Sequence, residues 1–316
     1  MPLPRRRGHA RRRRRDAVLG APPPPPAHQR SLRALGGTVL DASPHLLVLR
    51  TEGGEERLAM TPATTVWHGG RGGLAALRPG RSAVVRSAPG GLGADRVWVD
   101  IGRVAGTILA CGRDTVEVDM GPHRGRAHVV IPPHALGRVL VRHPRLEPGY
   151  LFDAICVRSP DGPMAVRPST SQPGNRADDL APPGPGAPVP DVLHGTATWF
   201  GSPDDAPGAT YPAVDAEGGA GGCAGAPSGC VALPYLSLGS EVAVRNECTG
   251  RGGTVPVVEC GCTAARYCDR CVECGTSPRG RIVELTPAAF AGLGGDLEAG
   301  CFNAVVRHGA PGAATP

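Results

Sequence analysis

Short runs in which apolar and polar residues alternate, separated by turn residues, recur through the first half of the chain. Such runs predict β-strands, because successive side chains of a strand point to opposite faces of a sheet. GTVLDASPHLLVL at 37–49 aligns with GTILACGRDTVEV at 106–118, and LRPG at 77–80 aligns with LEPG at 146–149. Both pairs are separated by the same 69 residues, which indicates a tandem duplication.

Each copy has the length and the short strands of a small closed β-barrel, OB-like or SH3-like. We predict the first barrel over residues 33–89 and the second over residues 98–158. Apart from Trp67 and Phe152, the copies lack the aromatic residues interleaved with arginines that a nucleic-acid stacking platform requires. The expected role of the repeats is therefore a spacer or a contact surface for a protein partner.

The last third of the chain, predicted as one domain over 193–309, carries its own strand and turn patterns. They occur in the order GTATWFG (195–201), LSLGSEVAVRN (236–246), TGRGGTVPVVE (249–259), GRIVELTPAAF (280–290) and GCFNAVVRH (300–308). Thr286 and Pro287 predict the start of a short helix, since they suit the N-cap and the first helical position. Gly294 and Gly295 predict its end.

These segments, in this order, resemble the double-psi β-barrel of rare lipoprotein A, expansins and barwin-like proteins. Family members read roughly G-x-A-[ST]-W-[YF]-G, L-P-L-G-T-x-V-x-V-x-N, V-x-V-x-D-x-G-P and G-R-[IV]-[IV]-D-L-[ST]-x-x-A-[FA]. The resemblance implies an all-β chain that ends in a six-stranded double-psi barrel. Members bind or cleave cell-wall polysaccharide: rare lipoprotein A-type enzymes act as lytic transglycosylases on peptidoglycan glycan, whereas expansins loosen walls without hydrolysis.

The resemblance also implies a catalytic pair, an aspartate in the third segment and a histidine shortly before L-P-L-G-T. Here Glu259 stands at the third-segment aspartate and Glu284 at the fourth-segment aspartate. Leu233 stands where the histidine is expected, and the sequence has no histidine between His194 and His308. Half of the catalytic pair is therefore missing.

Two interpretations of the glutamates follow. If Glu259 and Glu284 are adjacent, each carboxylate raises the pKa of the other, and Glu259 would serve as the acid of a lytic cleavage. Alternatively both are structural, and Glu284, beside a helix N-terminus, orients the loop that carries Glu259.

Four aromatic residues are candidates to stack on sugar rings. They are Trp199, Phe200, Tyr211 and Tyr235. Trp199 lies on an alternating strand, where a core position is the alternative, while Tyr235 follows a proline in a predicted turn. The site therefore depends on which of these rings reach the surface.

Nine cysteines fall within the C-terminal domain, at Cys223, Cys230, Cys248, Cys260, Cys262, Cys268, Cys271, Cys274 and Cys301. Disulfides in an oxidising compartment or metal ligation in a reducing one would explain this density. Cys260, Cys262, Cys268, Cys271 and Cys274 have spacings that suit a structural zinc, and no other cofactor is expected. The wider spread favours several disulfides. Cys111 and Cys156 in the second repeat would either pair or remain small buried hydrophobes.

The net charge of +6 is concentrated in the first 30 residues, which hold nine arginines and one acid. We predict a disordered Arg/Pro-rich tail over 1–32, a Pro/Gly-rich linker over 159–192 and a disordered end over 310–316. The basic tail is a candidate contact for nucleic acid, anionic lipid or an acidic wall polymer. No nucleic-acid partner is expected elsewhere.

The chain has no apolar stretch of the length that a membrane span needs, and no signal peptide is readable. The cysteines and the family resemblance indicate an extracellular or cell-wall location, and a cytoplasmic one is the alternative. The leading hypothesis is a wall-associated barrel that binds peptidoglycan glycan and cleaves it, if at all, through Glu259. The alternative is a catalytically silent interaction protein, Cys-stapled or zinc-binding.

Overall fold

A computed structural model describes residues 29–91, 93–121, 123–143, 145–169, 191–211, 233, 236–261, 267–269 and 279–308. These residues are all-β, as predicted, and form two closed β-barrels, of five and six strands, and one open six-stranded sheet. The predicted disorder of 1–28 and 310–316, and most of the predicted linker, lie outside the described residues. None of the helices in the described part is long and apolar enough to cross a membrane.

The first repeat forms the open sheet, with strand order β4-β3-β2-β6-β7-β5. Its strands are β2 (Ala34–Ala42), β3 (Leu46–Thr51), β4 (Gly54–Ala59), β5 (Thr65–Trp67), β6 (Ser82–Ser87) and β7 (Ala94–Val99), and Leu74–Ala76 form a 3-10 helix. We predicted a closed barrel here, and that prediction was wrong. The edge of β7 is taken by β5, which runs parallel to it, and a single bridge joins Ala59 of β4 to Gly93.

The second repeat does close, in the ring order β10-β12-β11-β8-β9. Its elements are β8 (Ile101–Cys111), β9 (Thr115–Asp119), β10 (Arg126–Val130), helix α1 (Pro133–Arg142), β11 (Leu151–Ser159) and β12 (Gly162–Pro168). The parallel contact between Val130 of β10 and Met164 of β12 completes the ring. The predicted end of this repeat at 158 is corrected, because β12 lies inside the range predicted as linker.

The two repeats share one strand order. The path β4-β3-β2-β6-β7 in the first corresponds to β10-β9-β8-β11-β12 in the second. β3 begins at Leu46 and β9 at Thr115, and β6 begins at Ser82 and β11 at Leu151, a separation of 69 residues in each case. The offset read from the sequence thus coincides with equivalent strands.

The C-terminal domain is the six-stranded barrel, with ring order β16-β14-β18-β13-β19-β15 and a final pairing of β15 with β16. Its strands are β13 (Val192–Trp199), β14 (Ala209–Tyr211), β15 (Glu241–Asn246), β16 (Arg251–Cys260), β18 (Arg279–Leu285) and β19 (Cys301–His308), and β17 (Cys268–Asp269) pairs with β18. Helix α2 (Pro287–Gly292) begins after Thr286, as predicted. β13 is parallel to β18 and β14 to β16, and the other pairs of the ring are antiparallel.

The N-terminal segment joins this barrel before the repeats begin. Strand β1 (Gln29–Arg30) runs parallel to the start of β16, and the Leu32 amide donates a 2.7 Å hydrogen bond to the Gly292 carbonyl. The predicted tail over 1–32 is therefore corrected at its end, because residues 29–32 are held by backbone hydrogen bonds.

One apolar cluster connects all three units. Trp67 and Trp98 of the first sheet belong to the same buried cluster as Val157 of the second barrel and Trp199 and Phe302 of the C-terminal barrel. Removal of this surface from water favours the assembled arrangement over separated units. The repeats are thus packed onto the barrel and are not a detached stalk.

Candidate functional site

The register of three neighbouring strands brings the two predicted catalytic glutamates together. Thr210 of β14 pairs with Glu259 of β16 on one side and with Glu284 of β18 on the other. Val258 is the extra residue of a bulge in β16, because Ala209 pairs with Val257 and Thr210 with Glu259. A bulge re-aims the side chain that follows it, and here Glu259 leaves the interior that Val257 occupies.

An arginine from the second barrel lies between the two acids. Arg124 Nε donates to Glu259 Oε1 at 2.9 Å, Nη1 to Glu284 Oε2 at 3.2 Å and Nη2 to Thr210 Oγ1 at 3.1 Å. Its guanidinium carbon lies 4.3 Å from the centroid of the Phe200 ring, a cation–π contact. One guanidinium therefore occupies the space between both predicted acids.

Glu284 is buried and ionised. Its Oε1 accepts a 2.9 Å hydrogen bond from Arg281 Nη1, three residues earlier on the same strand. Burial would raise the pKa of this carboxyl, but the positive charges of Arg124, Arg281 and Arg103 outweigh burial and lower it. The predicted mutual raising of pKa values is thus wrong for Glu284, because cations surround it.

The same network continues into the second barrel through Asp153, which was not predicted. Arg281 Nη2 donates to Asp153 Oδ2 at 2.5 Å, and Arg103 donates to both carboxylate oxygens at 2.9 and 2.7 Å. Ser169 also donates to Oδ1. Burial raises the pKa of Asp153, but Arg103 and Arg281 lower it well below its ordinary range.

A sequence pattern could have revealed Asp153. It interrupts the otherwise apolar run LFDAICV, which forms the buried strand β11. A charge inside an apolar strand requires a paired counter-charge.

Arg281 is also held by an aromatic ring. Its guanidinium carbon lies 4.1 Å from the centroid of Tyr267, whose hydroxyl donates to the carbonyls of Phe152 at 2.8 Å and Gly106 at 3.2 Å. Both of those carbonyls belong to the second barrel. Tyr267 therefore fixes the orientation of Arg281 against that barrel.

A small cavity of about 170 Å³ adjoins this network, lined by Arg103, Ala105, Met120, Arg124, Trp199, Phe200, Gly201 and Glu284. Pockets that enclose drug-sized ligands measure roughly 300–1,000 Å³, so this one is too small for a disaccharide. As it stands, the cavity would hold only a small group.

The aromatic residues predicted to stack on sugar are core residues where they are described. Trp199 and Tyr211 are fully buried, and Phe200 is 7% exposed. Trp199 Nε1 donates to the Leu297 carbonyl at 2.8 Å. Tyr235 lies outside the described residues. The predicted platform is therefore contradicted at Trp199, Phe200 and Tyr211, because strand alternation points these rings inward.

Leu233, at the position of the expected histidine, packs against the barrel core. A proton donor held protonated at neutral pH is thus absent from Glu284, and an apolar side chain takes the place of the predicted catalytic partner. Glu259 keeps 29% of its side chain exposed, but Arg124 binds it.

The cysteines divide by location. Cys248 and Cys260 are disulfide-bonded, and Cys301 is buried in the barrel. Cys268 is described through its backbone in β17, and the remaining five, Cys223, Cys230, Cys262, Cys271 and Cys274, lie outside the described residues. Within the described part of the chain, no group of three or more His, Cys, Asp or Glu side chains is placed to hold a metal ion.

The proposed pairing of Cys111 with Cys156 is corrected, because both are free thiols. Cys156 is buried, and burial raises its pKa. Cys111 is exposed and its thiol donates to the Leu146 carbonyl at 3.0 Å. The alternative interpretation, a small buried hydrophobe, holds for Cys156.

Comparisons with known proteins give no family for the chain. No protein-family model matches it, and no curated protein matches its sequence. The function is therefore argued from the site itself.

Proposed function

We propose that this protein is a catalytically silent interaction protein whose C-terminal barrel is sealed at its acidic pair by the second barrel. The observation that carries the proposal is the position of Arg124, which hydrogen-bonds Glu259, Glu284 and Thr210 at once. A general acid must hold a proton near neutral pH. The lowered pKa of Glu284 and the ion pair of Glu259 both oppose this.

The network instead serves to join domains. Buried charges that are fully paired give orientation and specificity more than net stability, and breaking one pair is strongly destabilising. Asp153 and Arg103 come from one barrel and Arg281 and Glu284 from the other, so correct docking is the condition for satisfying all four. A rigid arrangement of this kind suits a protein that presents surfaces to partners.

The test is product analysis on peptide-stripped peptidoglycan glycan strands, read by mass spectrometry for anhydro-sugar ends. Wild-type protein is expected to leave the ends unchanged. Glu259→Gln removes the proposed acid, and Glu241→Gln, an exposed acid on β15, is the matched control. New anhydro ends made by wild type and by Glu241→Gln, but not by Glu259→Gln, would contradict the silent reading.

A second candidate function is glycan binding or cleavage in the manner of the family that the sequence resembles. It is favoured by the six-stranded ring with parallel β13–β18 and β14–β16 pairs and by the placing of Glu259 and Glu284 on either side of Thr210. We propose on the same grounds that the barrel is a double-psi barrel and that the repeats arose by duplication. Under this candidate, Arg124→Ala would expose the acids and create activity that wild type lacks.

We propose an extracellular or wall location, supported by the disulfide-bonded Cys248 and Cys260. Disulfides persist in oxidising compartments. Alkylation of the unreduced protein, followed by mass counting, is expected to label few thiols beyond Cys111. Labelling of most cysteines, together with bound zinc, would favour the cytoplasmic alternative.

A further inference from the structure

The connection between the β4- and β6-type strands differs between the two repeats. In the first repeat it contains β5, and Trp67 is 7% exposed within the cluster that also holds Val157 and Val166 of the second barrel. A side chain on Gly69 would meet Val157 at 3.2 Å, so this segment lies directly on the second barrel. In the first repeat the connection is thus a docking segment.

In the second repeat the same connection is helix α1, and position 136 lies 69 residues after Trp67. Leu136 and Leu140 lie one helical turn apart and are 38% and 37% exposed, and Val141 is 71% exposed. The buried side of the helix is carried by Ala135 and Val139. Three large apolar side chains on a ten-residue helix therefore face solvent at the place where the first repeat docks.

A groove of about 310 Å³ continues this surface. Its apolar lining comes from Cys111, Ile131, Pro133, Leu136 and Leu146. It has the volume of a small ligand pocket, enough to receive one or two apolar side chains. A concave apolar groove fits a protruding side chain better than the flat surface of a bilayer.

Gly137 adds a second, independent sign of an approaching body. Glycine within a helix costs about 1 kcal/mol relative to alanine. A side chain at Gly137 would meet no atom within 4 Å, so no contact within the described protein requires a glycine there. Its absence of a side chain would let a partner backbone come close between Leu136 and Leu140.

The charge of the surface selects the partner. Helix α1 carries His134 and Arg138 but no acidic residue, and Arg113 is exposed at the groove. Arg138 also repels Arg167 on β12: burial lowers the pKa of Arg167, and the charge of Arg138 lowers it further. Asp114 is the acid of the groove lining. Two copies of this helix would place arginines against each other, which disfavours self-association.

We propose that helix α1 and the adjoining groove bind an acidic segment of a partner protein that inserts apolar anchor side chains between Leu136 and the β8–β9 turn. The inference rests on the proposed interaction function, and it names the surface and the chemistry of the partner. Apolar anchors would fill the groove, and flanking carboxylates would pair with Arg113 and Arg138.

The probe is a fluorescent 14-residue helical peptide with leucines at i, i+3 and i+4 and glutamates between them, titrated into the full chain. We expect saturable binding with a Kd on the order of 10–100 µM, and at least a tenfold weakening in Leu136→Ser/Leu140→Ser. Arg138→Glu is expected to weaken binding about threefold or more. Leu74→Ser, at a leucine 41% exposed in the first repeat, is the matched control and should bind like wild type.

The charge-reversed peptide, with lysines in place of glutamates, and vesicles of phosphatidylglycerol and phosphatidylcholine complete the test. Equal binding of both peptides, or peptide binding unchanged in the double serine variant, would overturn the proposal. So would vesicle binding that depends on Leu136 and Leu140, or a dimer in sedimentation that the double variant abolishes. Absence of saturable peptide binding up to roughly 1 mM would also overturn it. If the double variant fails to fold, Val141→Ser replaces it.

Glycan cleavage and peptide binding are separate measurements. Anhydro ends with intact peptide binding would sink the silent reading and leave the docking surface in place. Unchanged ends without peptide binding would do the reverse.

Discussion

The C-terminal barrel meets the two repeats through two interfaces that use the same chemistry at different depths. Against the first sheet, Arg86 and Arg96 pair with Asp296, and Trp98 Nε1 donates to Glu298. Against the second barrel, arginines and acids likewise alternate around Asp153 and Glu284. The composition of the two contacts is similar, whereas their access to water is not.

The exposed fractions decide what each contact contributes. The Arg96 and Asp296 side chains keep 28% and 26% of their surface in contact with solvent, whereas Arg281 and Asp153 keep none. Solvent screens the first kind of pair, so it contributes about 0–1 kcal/mol. A buried pair contributes little net stability, yet removal of one partner leaves an unpaired charge at a cost of about 3–5 kcal/mol. Depth therefore changes the consequence of damage more than the strength of attraction.

Acidification should break the deeper interface first and have the largest effect, because it neutralises Asp153 and Glu284 together. The pKa of each is lowered by the surrounding arginines in the folded state, so the unfolded state binds more protons as pH falls. Their contribution is fully present above the unfolded pKa of about 4 and is lost as pH falls through the lower folded values.

The measurement is the free energy of unfolding by urea between about pH 6 and pH 2. Asp153→Asn, which no longer titrates at this position, is expected to flatten the lower part of the curve. A wild-type curve that is flat below about pH 4 would contradict the linkage.

Arg281→Met comes next, with an expected loss of about 3–5 kcal/mol in the free energy of unfolding. The change leaves Glu284 and Asp153 each without one partner. Arg279→Met, two residues away on β18, is the matched control, since Arg279 is 37% exposed and pairs with Glu247 at the surface. Equal losses for the two variants would mean that burial does not distinguish these pairs.

Arg124→Ala is expected to cost less, about 1–3 kcal/mol, because Arg124 is partly exposed and Glu284 retains Arg281. The variant should also raise the pKa of Glu284, since Arg124 is the largest contributor that lowers it. Carbonyl-region NMR of the labelled side chain would follow the titration. An unchanged titration of Glu284 would show that Arg124 does not control this acid.

The sequence was informative where local pattern decides structure. Strand alternation and the 69-residue offset predicted equivalent strands, and Thr286-Pro287 predicted the start of α2. The open first sheet was not predictable in this way, because β5 and the closing strand compete for the same edge of β7.

The site was predicted only in part. Glu259 and Glu284 were placed by segment order, but Arg124 reaches them from 135 and 160 residues away. Nothing local to the turn around Arg124 indicates its partners. The burial of Trp199 and Tyr211 follows from long-range packing of the barrel, which local alternation leaves open between two faces.

The smallest effect is expected at the shallower interface, where Arg96→Ala should reduce the free energy of unfolding by about 1 kcal/mol or less. Arg96 shares Asp296 with Arg86, so the acid keeps a partner after the change. Salt should reproduce much of this loss in wild type, because partly exposed pairs are screened at a Debye length of about 8 Å at physiological ionic strength. Urea unfolding in low and high salt checks this, with Arg57→Ala, an exposed arginine of β4, as control. A loss approaching that of Arg281→Met would mean that the two interfaces are equally deep in solution.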